Sequence, residues 1–145
     1  MAVSGKFYGK SFLSVYNKEI DIDSDALKVM LCTSTYTPDQ DNHRYKSDVT
    51  NEVTGTGYTA GGVTLTSVTI TYTGATNILA IDANDVSWTS ATFTARYAVV
   101  YDSTPSTDAT RPLIGYIDFG SDQSPAAGTL SIVFDSTGIA TVTVS

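Results

Sequence analysis

The sequence predicts an all-β fold, mainly antiparallel: a β-sandwich or partly open β-barrel with a short N-terminal helix and a long irregular excursion. Three observations predict it. Short runs rich in Val, Ile, Thr, Tyr and Phe recur along the chain, and Gly, Asn, Asp and Ser cluster between them. The run from Asp85 to Asp102, DVSWTSATFTARYAVVYD, holds the single tryptophan and the longest unbroken β-type pattern. Roughly a quarter of the residues are Ser or Thr and only 16% are charged, against about 25% in an average soluble protein.

Within the Asp85–Asp102 run, Phe93, Ala95, Tyr97, Val99 and Tyr101 share one parity, and Thr92, Thr94, Arg96, Ala98 and Val100 share the other. One face is apolar throughout and the other only in its second half, so the spacing predicts one central strand whose end is buried on both faces. Trp88 is expected to cap the core just ahead of it.

The N-terminal segment, residues 6–17, places Tyr8, Phe12, Val15 and Tyr16 on one helical face, with Ser4 available as a cap. A strand using Phe7, Leu13 and Val15 is the alternative, and Gly9 weakens both. After the acidic IDIDSD turn, Leu27–Thr33 reads as a buried strand. Residues 34–62 carry no sustained period, which is long for a connection inside a compact domain, and such an excursion is expected to serve function or to become ordered against a partner. One helical turn is expected within 41–48. Val63–Thr73 changes parity near Ser67, which implies a bulge or bend, and Gly74–Asn77 turns it into a hairpin with Ile78–Ile81. Strands at Leu113–Phe119, Leu130–Phe134 and Ile139–Val144 follow, with Gly138 suited to a tight turn. The total is six to eight strands in one domain spanning residues 1–145.

The formal net charge is −7 and the eight Lys and Arg residues are scattered, a poor match to a nucleic-acid backbone. No apolar run approaches bilayer length and no secretory signal pattern opens the chain, so a soluble protein made in the cytoplasm is expected. The lone Cys32 leaves no internal disulfide. Chemistry finds little footing. Gly55, Gly57 and Ala60 match G-x-G-x-x-A, but a β-pattern follows instead of a helix, so a turn-rich loop is expected and no cofactor. Asp21, Asp23 and Asp25, and Asp39 with Asp41, lack the glycine and distal glutamate of an EF-hand loop and read as turn caps, not a metal site. His43 is the only histidine and has no nucleophile-elbow serine to serve. No enzyme is expected. Tyr36, Tyr45 and Tyr58 lie in the excursion, either as contacts for a partner or folded back over the domain's own core. With His43 and Arg44 they form the candidate protein interface.

The segments TSTYTPDQDNHRYKSDVTNEVTGTGYTAGGVTLTS (Thr33–Ser67), DANDVSWTSATFTARYAVVYD (Asp82–Asp102) and PLIGYIDFGSDQS (Pro112–Ser124), with the entry strand LKVMLCTS, resemble a family of small tailed-bacteriophage virion proteins. The likeness runs from about Ala26 to Ser124. It implies a capsid decoration, or cement, protein that binds the outside of the major capsid protein lattice, made in the host bacterial cytoplasm and ending on the virion surface. A neck or tail component is the neighbouring alternative, and a carbohydrate-binding fibre module, with Trp88 and tyrosines stacking on sugar rings, a more distant one. The resemblance brings no catalytic residues. A homo-oligomer, a dimer first, is expected because exposed strand edges need cover.

Overall fold

The computed structural model describes residues 2–145. Strand takes 46% of the chain and helix 10%, so the predicted all-β, sandwich-like class holds. Eleven strands are present: β1 (Ala2–Val3), β2 (Lys6–Phe7), β3 (Leu27–Cys32), β4 (Val63–Thr64), β5 (Thr69–Thr73), β6 (Ile78–Asp82), β7 (Val86–Thr92), β8 (Ala95–Asp102), β9 (Leu113–Gln123), β10 (Ala126–Phe134) and β11 (Ala140–Thr143). The count exceeds the six to eight expected, largely because β1, β2 and β4 are two-residue strands with no periodicity to detect. The strands form three sheets, ordered β2-β9-β8-β3-β4, β1-β10-β7 and β11-β6-β5. Of the strand pairs in these sheets, only β1 with β10 is parallel.

The five-stranded sheet is the spine. Its rungs follow the pleat: Met30 pairs with Val99 and Val99 with Tyr116, while Leu31 pairs with Ala98 and Ala98 with Ile117. The second rung faces a core shared with the two smaller sheets, where Leu31, Ala98, Val100 and Ile117 meet Ile81, Trp88, Ile132 and Phe134. The first rung faces the opposite way into a second core of Tyr8, Met30, Cys32, Tyr36, Val99, Tyr101 and Leu113. β8 is central, as its doubly apolar end predicts, and Ala98 to Asp102 are all buried.

Asp85–Asp102 is not one strand. It breaks after Thr92 and resumes at Ala95, and the two halves belong to different sheets. Phe93, at the corner, is 7% exposed and joins the inner core. A continuous alternation is blind to such a corner, because side chains can stay buried while the backbone changes sheet. Trp88 therefore lies within a strand of the second layer, 4% exposed, rather than capping the core from outside. Similarly, the Asp135–Gly138 turn, with Gly138 at φ 114°, joins β10 of one sheet to β11 of another.

The N-terminal helix, α1, is Gly9–Tyr16, shorter than 6–17 because Lys6 and Phe7 pair with β9. Its cap position is Tyr8, not Ser4, and no side chain caps it. Lys18, at φ 62°, ends the helical path. The inward face is only in part the one periodicity selected: Tyr8 is buried and Phe12 half-buried, as expected, but Val15 and Tyr16 are not. Ser11 and Ser14 are buried, whereas Leu13, Val15 and Tyr16 are exposed by 51%, 43% and 86%. Small side chains let the helix approach β9 closely, and Phe12 packs sideways on Phe7 with ring centroids 5.3 Å apart.

Val63–Thr73 is likewise not one strand, since β4 joins the five-stranded sheet and β5 the β11-β6-β5 sheet. β4 and β5 are separated by a bend at Ser67, φ 53°, and β5 and β6 form the expected hairpin. Gly62, at φ 76°, starts the return into β4, and a Cβ there would collide with the Val29 carbonyl. Gly62→Ala is accordingly expected to lower stability by about 3 kcal/mol or more, as steric and backbone strain combine. Urea unfolding measures it, and an unchanged midpoint would contradict the close approach.

Candidate functional site

Residues 34–62 stay irregular, with one 3₁₀ turn at Lys46–Asp48, yet they are bonded throughout to the rest of the chain. The expectation that this segment gains its order from neighbouring molecules is therefore corrected: its own domain supplies the order. It performs two tasks, one on the face of the central sheet and one on its edge.

On the face, Tyr36 covers the second core and is 1% exposed. Its ring stands edge-on to Tyr97 at 6.0 Å and stacks on His43 at 5.7 Å. The phenol oxygens of Tyr8 and Tyr36 are 2.8 Å apart, and that of Tyr36 lies 2.9 Å from His43 Nδ1. The Asp39 N–H also points at Nδ1, which makes Nδ1 an acceptor. Tyr36 consequently donates to His43 and accepts from Tyr8, giving a directed chain from the buried end outward. Burial first, and then the neighbouring Tyr36, hold the Tyr8 phenol far above its ordinary range, and burial pushes Tyr36 up to about 12. Both remain neutral donors.

Nearer the rim, Arg44 reaches Glu19 at 3.0 Å and Ser14 Oγ at 3.3 Å, and the Tyr45 hydroxyl donates to the same Glu19. The backbone joins in: the Leu113 N–H donates to the Arg44 carbonyl, and Tyr45 bridges to Pro112.

On the edge, residues 51–53 run beside β3. Thr33 N–H donates to Asn51 O, Val53 N–H to Leu31 O, and Cys32 bridges to Glu52. Tyr58 completes the seal with its side chain. Its hydroxyl accepts the Leu31 N–H at 3.0 Å and donates to Glu52 at 2.8 Å, while its ring stacks on Trp88. A phenol here does the work of a missing strand. Glu52 also accepts the Gly61 N–H, and the Tyr101 hydroxyl donates to Gly61 O.

Thus Tyr36, His43, Arg44 and Tyr45 are brought to one seam over the second core and its rim, whereas Tyr58 stands apart at the β3 edge, against Trp88 and Phe93 of the inner core; the polar ends of all five are engaged with this chain. The exposed residues of the segment are instead mostly Ser, Thr, Asn and Gln, among them Thr35, Thr37, Gln40, Asn42, Thr50 and Asn51, together with the carboxylates Asp41 and Asp48. No periodicity could have marked these residues, since their exposure depends on which neighbours turn inward.

The glycines of the G-x-G-x-x-A stretch have a packing use. Gly55 and Gly57 lie against the backbone of Thr89–Thr92, where a Cβ would clash, and no helix follows. Asp39 accepts from the Asp41 and Asn42 backbones, and Asp21 from that of Asp23. These acids close turns on themselves. Among the described residues no group of three or more His, Cys, Asp or Glu is placed to hold a metal ion. Cys32 is fully buried, and burial pushes its thiol up to about 12, so it packs as a small hydrophobe.

One charged group is out of keeping. Asp102, at the end of β8, is buried; Oδ1 accepts the Thr104 N–H at 2.8 Å and Oδ2 has no partner among the described residues. Burial chiefly, with repulsion from Asp25, raises its carboxyl above the ordinary range, against the Thr104 bonds that lower it.

The fold and this seam define an all-β, sandwich-like protein whose irregular segment serves as a structural cover. Comparison with protein-family models, with curated proteins and with solved structures returns no match.

Two outcomes are expected. Tyr36→Phe removes the acceptor of the buried Tyr8 hydroxyl and should cost about 1–3 kcal/mol; Tyr8→Phe leaves Tyr36 still bonded to His43 and should cost less. Denaturant melts of the pair test this order, and the reverse order would refute the assigned direction of the chain. For Asp102, the folded-state affinity for a proton exceeds the unfolded one. Its contribution is therefore favourable below the unfolded value, near ~3.9, and is lost as pH rises through the folded value. Asp102→Asn should raise the melting temperature near neutral pH, with the gain shrinking in acid. A gain that grew in acid would contradict it.

Proposed function

We propose that this chain is a structural protein of a tailed-bacteriophage particle, a decoration or cement protein that adheres to the outside of the major capsid protein lattice and stabilises the head. The resemblance of Thr33–Ser67, Asp82–Asp102 and Pro112–Ser124 to that family is one support. The observation that carries the reading physically is that residues 34–62 are tied by hydrogen bonds to the central sheet, with an outer surface mostly of Ser, Thr, Asn and Gln beside the exposed Asp41 and Asp48. A cement protein adheres in many copies, each through a modest contact. A surface already ordered in the free protein avoids the entropic cost of ordering side chains and loops on binding. Neutral hydrogen-bonding groups suit shape-led adhesion better than exposed ion pairs, which contribute about 0–1 kcal/mol each.

The contact surface follows from the seam. Its anchors Tyr36, His43, Arg44, Tyr45 and Tyr58 hold the segment in shape, and the exposed Thr35, Thr37, Gln40, Asn42, Thr50 and Asn51 meet the lattice. The sugar-binding alternative loses Trp88, which at 4% exposure lies under Tyr58, and its stacking would fall to the exposed Tyr16 and Tyr72.

The test is co-sedimentation of the purified protein with heads of its phage that lack it, followed by imaging of the bound label. Binding spread over the whole shell of expanded heads is expected, and Thr37→Arg with Asn42→Arg should abolish it while leaving the melting curve intact. Label confined to one ring at the neck would move the assignment to an adaptor, and no binding at any stage of head maturation would end it.

A further inference from the structure

We infer that β5 is the self-association edge of this protein: two copies pair their β5 strands antiparallel about a two-fold axis through Thr71, joining two three-stranded sheets into one of six. The inference is independent of the capsid reading.

It begins with an inventory of strand edges. A bare edge displays unpaired N–H and C=O groups, and proteins guard such edges with shortness, charge, proline, bulges or a covering segment. Here β1, β2 and β4 are two residues long. The edge strand β7 is met by Thr56, which bridges to Thr92, and β11 is met at one end by Gly5, which bridges to Ala140. β5 has none of these protections. It is five residues long, Thr-Ile-Thr-Tyr-Thr, and all five are exposed. Its ladder to β6 is regular, without a shift, and no residue of any other segment bridges to it among the described residues.

Electrostatics then selects the occupant. The chain carries a formal −7, so two copies repel wherever their charged surfaces meet. From Val53 to Ile81, however, the sequence holds no charged residue, and β5 lies inside that stretch. The edge itself therefore sets no like charges opposite each other, and the carboxylates Asp21 and Asp23, which share a pocket with Ile70, lie there beside the cation Lys18.

The strand also complements itself. Its pattern reads the same in both directions as Thr, apolar, Thr, apolar, Thr. Pairing about Thr71 sets Thr69 against Thr73 of the second copy and Ile70 against its Tyr72. Threonine pairs and aromatic with β-branched pairs are among the favourable cross-strand neighbours. Ile70 and Tyr72, exposed by 41% and 55%, lie on the face shared with Leu79, Ile81 and Val142, by register with β6 and β11. On that face an apolar groove of about 350 Å³ runs between the sheet and α1, with Val15, Tyr16, Ile70 and Val144 on its walls. Pairing at β5 brings the two grooves side by side, and the exposed apolar side chains of each copy gain cover.

Sedimentation equilibrium over a concentration series tests this with three proteins. Wild type is expected to reach a dimer. Thr71→Lys, at an exposed site, places like charges opposite each other and should raise the dimer dissociation constant about tenfold or more with an unchanged circular dichroism spectrum. Thr71→Cys should oxidise to a covalent dimer, since opposed residues of an antiparallel pair lie about 4.5–5.5 Å apart, within disulfide reach. Thr141→Cys, exposed on β11, should not. A wild-type monomer throughout the series overturns the inference, whether another partner covers the edge or nothing does. So does a dimer that tolerates Thr71→Lys, or cross-linking of Thr141→Cys as fast as of Thr71→Cys.

Discussion

The structure depends on one constraint: the central sheet is apolar on both faces. β3 presents Leu27, Val29 and Leu31 to one side and Met30 and Cys32 to the other, and β8 does the same with Val100 and Val99. Exposing a large apolar side chain forfeits about 1.5–3 kcal/mol. Leaving Met30, Val99, Tyr101 and Leu113 bare would therefore cost about as much as the whole net stability of a domain, roughly 5–15 kcal/mol. Two covers are obligatory. The smaller sheets provide one, and Tyr8 with the 34–62 segment provides the other.

The second cover is irregular, and this explains its chemistry. A segment without strand or helix ladders must find partners for its backbone elsewhere when it is buried. It does so at the edges of β3 and β9, through Val53, Thr33 and Arg44, and where the backbone falls short, side chains substitute. Tyr58 accepts the orphan Leu31 N–H, and the phenols of Tyr8 and Tyr36 satisfy each other under the cover. Tyrosine suits this work because it fills apolar space and ends in a hydrogen-bonding group. The aromatic residues concentrated in an aperiodic stretch are thus the means by which that stretch becomes part of the core. Asp102 is the exception to this economy, its second oxygen buried without a partner.

The same logic separates inner work from outer surface. Charged pairs are few and peripheral: Arg44 with Glu19, Arg96 with Asp118, and Asp108 shared by Lys46 and Arg111. Cohesion comes from packing and neutral hydrogen bonds, and the exterior is left mostly to hydroxyls and amides. Such an exterior has little long-range reach and favours contact by fit, in keeping with the adhesive role proposed.

What the sequence determined by itself was the material of the fold. The apolar run Leu27–Cys32 and the period-two patterns in Thr69–Thr73 and Ala95–Asp102 specify strands, the double apolarity of β8 specifies a central position, and the Ser67 parity change specifies a bend, because side-chain patterning is a local property of extended backbone. Tertiary structure alone decided the rest. It split Asp85–Asp102 between two sheets at Phe93, turned Ser11 and Ser14 inward in place of Val15 and Tyr16, and gathered Tyr36, His43, Arg44 and Tyr45 into one seam while setting Tyr58 at the β3 edge against Trp88. None of these is local: each depends on how closely a distant sheet approaches and on which backbone groups it leaves unpaired, and neither quantity is written in the spacing of neighbouring residues.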